Sequence, residues 1–161
     1  AKAGVPACWI DPKSFSTREA FEQAMIQTLH AHSAKLVCLA GFMRILSPVF
    51  VRAFPNRILN VHPALLPAFQ GAHGIRDAMA WGVKVTGVTI HLVDEDVDHG
   101  PILLQEAVPI RPGDTSAAVL ARMHRVEHHL YPQAIRLMVE GRVRVQGRRV
   151  LIRSPRAVGA T

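Results

Sequence analysis

No run of apolar residues in this sequence approaches the roughly 20 needed to cross a bilayer. The N-terminus also lacks the cationic-then-apolar order of a secretory signal. These absences place the chain in the cytoplasm, with no membrane partner. Cysteine is scarce. Cys8 and Cys38 each sit in an apolar, strand-like run and read as buried free thiols of a reducing compartment. No Cys/His spacing suggests zinc, and the acidic stretch at 94–98 lacks the EF-hand pattern, so no metal is expected. No G-x-G-x-x-G or P-loop pattern occurs. A nucleotide-binding α/β domain usually opens with such a Gly-rich turn. Repeats, low-complexity segments and linkers are absent, which leaves a single domain, residues 1–161.

What is present is a folding composition. Hydrophobic residues make up 49% and charged residues 19% of 161, enough for a substantial core and too little charge for disorder. The formal charge is +7, and the arginines crowd between Arg136 and Arg156, in "GRVRVQGRRVLIRSPR". Alternating Arg and Val reads as a hairpin with a solvated, charged outer side. The acidic "DEDVD" at 94–98 and the lack of an aromatic stacking set argue against a nucleic-acid partner. A basic chain still attracts an anionic small substrate. The sequence opens "AKAGVPACWI" without Met, almost directly in a strand, and reads as a fragment or processed product.

Val5–Ile10, ended by Asp11-Pro12, is expected as a first strand. Ser16 and Glu19 form a capping box, and Phe21, Ala24, Met25, Thr28 and Leu29 follow at helical spacing. Leu36–Ala40 reads as a buried parallel strand. Ser47-Pro48 starts a short helix. Arg57–Val61 is a strand, 74–81 a helix, 84–93 and 102–110 two strands. A long helix capped by Asp114 or Thr115 runs to about Glu140, and a hairpin spans 142–152. Strands alternating with helices predict an α/β, Rossmann-like fold, a mostly parallel sheet flanked by helices, with a C-terminal hairpin.

Ligands of open α/β sheets bind beyond the carboxyl ends of strands. That makes "GFMRILS" (41–47), "HPALLPAFQGAHG" (62–74) and "DEDVDHG" (94–100) the candidate site. In "NVHPALLP", Asn60 and His62 are two apart on an extended segment, so they project to one side, and Pro63 stiffens the backbone. Asn donates to a carbonyl oxygen and His passes a proton. The pair suits an oxyanion on a tetrahedral carbon; equally, both could serve backbone groups at a strand end. Asp98, brought near His62, would favour the imidazolium. Its neighbours Asp94, Glu95 and Asp96 should face solvent or meet a cation. Met43, Ile45 and Leu46 would line a flat apolar slot, with Arg44 free to meet an anion. Arg18, in a first helical turn, opposes the helix dipole and hints at an anion. Glu127 would form a salt bridge in its helix. His73 and His91 read as structural.

"LAGFMRILS", "NVHPALLPAFQGAHG", "GVTIHLVDEDVDHGPILLQ" and "VEHHLYP" together resemble the glycinamide ribonucleotide formyltransferase family of the folate-dependent formyltransferases. The resemblance implies transfer of a formyl group from 10-formyltetrahydrofolate, as co-substrate, to the amine of glycinamide ribonucleotide in purine synthesis. It implies His62 as proton donor, Asn60 on the formyl oxygen, and Asp98 supporting His62 and ordering a water. It implies that Met43, Arg44, Ile45 and Leu46, with Asp94, Glu95, Asp96, Val97 and Asp98, hold the pterin largely through backbone groups. Arg18 matches a folate contact. His124, Arg125, Val126 and Glu127 match a ribonucleotide-binding segment, with Glu127 toward the ribose. A homodimer is compatible with it. Formyltetrahydrofolate hydrolase and an inactive folate-binding fragment are the alternatives. Two departures stand out. Gln70 replaces a family proline, which should loosen its loop. The family's first strand and Gly-rich phosphate loop have no counterpart, so the chain reads as an N-terminally incomplete member that binds the nucleotide poorly.

Overall fold

A computed structural model of the chain describes Gly4–Ser154; Arg156, the end of the basic tail, lies outside these residues. Thr17 caps helix α1 (Arg18–Ala31), accepting from Ala20 N at 3.1 Å. The cap is thus one residue later than the Ser16 box suggests. Strand β1 (Val37–Leu39) follows, then α2 (Pro48–Ala53), capped by Ser47 with proline in its first turn as the sequence predicts. Next come β2 (Ile58–His62), α3 (Gly74–Ala80), β3 (Val85–Leu92) and β4 (Ile102–Pro109). Helix α4 (Ser116–Val139), capped by Thr115, leads to the hairpin β5 (Val143–Gln146) and β6 (Arg149–Ile152).

The four-stranded sheet has the order β1-β2-β3-β4. The α/β class, the flanking helices and the terminal hairpin are as expected, but the strand directions are mixed. β1 pairs parallel with β2, while β2–β3 and β3–β4 are antiparallel. The link 93–101 between β3 and β4 is too short for a parallel crossover, which takes a dozen or more residues. Val5–Ile10 forms no strand among the described residues; Val5 and Trp9 are exposed. Both cysteines are free, but exposed rather than buried. Apolar character alone cannot supply the pairing partner that makes a run a strand.

Two cores flank the sheet. Leu59 and Val61 of β2, with Val88, Ile90 and Leu92 of β3, face α4, whose Val119, Met123, Val126, Leu130, Ala134 and Leu137 repeat at helical spacing. Each buried Val, Leu, Ile or Met among them contributes about 1.5–3 kcal/mol relative to exposure. On the other face Ile58 packs with Val37 under Ile26 of α1 and Phe50 and Phe54 of α2 and its C-cap. Strand period decides the rest. Along β2, Ile58, Asn60 and His62 share that second face, so an apolar layer gives way to two polar side chains. Tyr131 of α4 fastens the sheet, its hydroxyl 2.9 Å from Leu39 O and 3.1 Å from Leu59 O.

Candidate active site

His62 is 3% exposed at the end of β2. Its Nδ1 lies 3.3 Å from Asp98 Oδ2, and its Nε2 lies 2.8 Å from Phe69 O, donating to that carbonyl. Asn60 pairs across the sheet with His91, and its amide nitrogen lies within hydrogen-bond reach of the ring, 3.2 Å from His91 Nε2. With His91 Nδ1 donating to Leu92 O at 2.9 Å, Nε2 carries the lone pair that accepts from Asn60. Asp98 Oδ1 is 3.6 Å from the same Nε2. So Asp98 stands between two histidines, and His91, read from the sequence as structural, proves to line the same cavity as His62. Its signal was available: in "GVTIHL" it is an isolated polar ring in an apolar strand.

Asp98 reaches this position by an unusual route. β3 runs against β2, so the segment after it leaves from the start of β2, with Val93 N bonded to Ile58 O. It then folds back over the sheet face. Asp98 has φ +50°, a left-handed conformation costly for a non-Gly residue and common where a site demands it. Gly71 N donates to Asp98 Oδ2 at 2.8 Å. Burial pushes the Asp98 carboxyl up, but His91, Gly71 N and the charge of His62 outweigh it and hold it below the ordinary Asp range. Gln70, where the family has proline, gives its loop a contact proline lacks: its side-chain amide donates to Asp98 O at 3.0 Å, tying loop 68–71 to the Asp98 loop.

A cavity of about 480 Å³ opens over these groups. Its walls include Met43, Arg44, Ile45 and Leu46, the Asp94–Asp98 loop, and Asn60, His62 and His91. Arg44 lies over the Phe21 ring at 5.7 Å. Below the slot, buried Glu22 accepts from Ser47 N at 2.9 Å and from the Ser47 hydroxyl, anchoring the end of the 41–47 segment. The acidic cluster is largely paired: Asp94 with His99 at 2.8 Å and Glu95 with Arg52 at 2.8 Å, while Asp96 is exposed. Arg18 does not line the cavity; it pairs with Glu19 at 3.5 Å. Nor do His124–Glu127. Val126 is core, His124 and Arg125 are exposed, and Glu127 is half-buried one helical turn before Tyr131. No cluster of His, Cys, Asp and Glu suited to a metal occurs among the described residues.

An amide donor, a histidine and a carboxylate facing one pocket can stabilise an oxyanion and move protons at a carbonyl carbon. The arrangement is of a kind that suits acyl transfer, and the chain belongs to the formyl transferase family, whose model matches residues 1–135. The phosphoribosylglycinamide formyltransferase of Mycobacterium tuberculosis is 44% identical over 158 residues, 94% of this chain and 74% of that protein. The crystal structure of glycinamide ribonucleotide transformylase 1 from Symbiobacterium toebii superposes with a TM-score of 0.93 at 50% identity, covering 95% of this chain and 72% of that one. The trifunctional purine biosynthetic protein adenosine-3 of Chironomus tentans is 45% identical over 145 residues, but the chain spans only 11% of its length.

Proposed function

We propose that the protein transfers the formyl group of 10-formyltetrahydrofolate to the amine of glycinamide ribonucleotide, in the cytoplasm, as a step of purine synthesis. The observation that carries this reading is the convergence of Asn60, His62, His91 and Asp98 on one wall of a cavity large enough for a folate-sized ligand. The names of the similar proteins support glycinamide ribonucleotide as the acceptor, and membership of the formyl transferase family supports a formyl-folate donor. The apolar slot of Met43, Ile45 and Leu46, with the backbone of the 94–98 loop, suits a flat heterocycle. Glu127 is assigned to the nucleotide's ribose.

In this reading the amine nitrogen attacks the formyl carbon, and the carbonyl electron pair moves to oxygen. Asn60 donates to that oxyanion. The bond from carbon to the folate nitrogen then breaks as His62 gives a proton to the departing nitrogen. The proton lost by the amine passes through a water ordered by ionised Asp98 back to His62, replacing the one it gave. His62 Nε2 is engaged with Phe69 O, so loop 68–71 must exchange that bond when ligand arrives.

The test is formyl transfer by the full chain with glycinamide ribonucleotide present and absent, followed by folate absorbance. Amine-dependent turnover lost in His62→Ala supports the reading. Amine-independent loss of the formyl group would make the protein a hydrolase, and no turnover from folded protein would overturn the transfer assignment.

A further inference from the structure

The hairpin β5–β6 lies beyond the family match, which ends at residue 135, and nothing above gives it a role. Its place is firm. Val143, Val145 and Val150 pack on the main core, and Arg142 Nε donates to Arg153 O at 2.8 Å across its open end. Its turn is Gly147-Arg148, with Gly147 at φ +57°. Arg148 points from that turn to the loop after β3. Its guanidinium donates to His99 O at 2.6 Å and reaches His99 Nε2 at 2.9 Å. His99 Nδ1 lies 2.8 Å from Asp94 Oδ2. With Nδ1–H donating to Asp94, Nε2 keeps the lone pair that accepts from Arg148. The contacts form a chain: Arg148 to His99 to Asp94, closing the loop's two ends on each other.

The other anchors act earlier in the loop. Arg52 holds Glu95, and Gln70 and Gly71 hold Asp98 from the opposite side. Among the described residues, no other side chain from outside the loop hydrogen-bonds His99, the residue after Asp98. An exposed ion pair alone is weak, but a planar fork gripping a carbonyl and a ring nitrogen together fixes orientation. Asp98, in its left-handed conformation, needs both flanks held.

We propose that Arg148 is a positioning residue for Asp98, acting through His99 to hold the C-terminal end of the 94–99 loop over the β2–β3 face. Its catalytic consequence rests on the formyl-transfer reading; its hold on the loop does not.

The experiment combines hydrogen–deuterium exchange and formyl-transfer kinetics on the full chain and on Arg148→Ala, Arg148→Lys and His99→Ala. Arg144→Ala, exposed on the outer side of the same hairpin, is the control and behaves as wild type. In Arg148→Ala, exchange rises across 94–100 and stays unchanged in β4. Its kcat falls roughly tenfold, as a displaced catalytic group predicts, with the KM for glycinamide ribonucleotide unchanged. His99→Ala matches it, the double variant loses no more than either single one, and Arg148→Lys recovers part through the carbonyl bond. Wild-type exchange across 94–100 in Arg148→Ala, or additive losses in the double variant, would overturn the proposal. If Arg148→Ala loosens the whole hairpin, His99→Ala, which leaves the hairpin intact, decides. A wild-type chain that transfers no formyl group sinks the functional reading alone, because exchange still decides the loop.

Discussion

Asp98 Oδ2 stands 3.3 Å from His62 Nδ1, although His62 ends β2 and Asp98 lies in the loop that follows the antiparallel strand β3. The contact exists because the loop after β3 doubles back over the sheet.

In the proposed transfer, Asn60→Ala removes the amide that donates to the oxyanion, and it leaves His91 Nε2 without its donor. Loss of one such donor costs about 10²–10³ in kcat. Steady-state kinetics should show the fall in kcat, with glycinamide ribonucleotide KM little changed.

Asp98 links stability to pH. Its folded pKa is held below the ordinary value, so its ionised form adds stability above the unfolded pKa, near about 4. That contribution fades as pH falls through the lower folded value. Asp98→Asn should therefore narrow the stability gap between neutral and acid pH. Urea unfolding at pH 7 and at pH 3 measures the difference; equal slopes in both proteins would count against it.

Gly100→Ala should be severe. A Cβ there would stand 2.9 Å from the Leu92 carbonyl carbon, and closer still to its oxygen, and backbone cannot yield as a flexible side chain does. The expected cost is about 2–4 kcal/mol, with a matching loss of turnover as the Asp98 loop shifts. Denaturant midpoints and kcat together check it.

Tyr131→Phe deletes the hydroxyl shared by Leu39 O and Leu59 O. Leaving both carbonyls without that donor should cost about 1–3 kcal/mol. Burial pushes the Tyr131 phenol well above its usual range, so the bond persists through ordinary alkaline conditions. Thermal unfolding should shift down in Tyr131→Phe at every pH tested.

The sequence by itself determined a good deal. The caps at Ser47 and Thr115, the extent of α4 and the presence of the terminal hairpin follow local rules of capping and periodicity, which need no partner. The shared direction of Asn60 and His62 follows from strand period. Only tertiary structure decided the strand directions, the fate of Val5–Ile10 and the exposure of both cysteines, because pairing and burial depend on what lies alongside. It alone brought His91 and Gln70 to the site and left Arg18 outside the cavity lining. Asp98 shows the division most clearly. Its carboxylate is visible in "DEDVD", but its approach to His62 depends on a loop that reverses over an antiparallel strand, and no local pattern encodes that path.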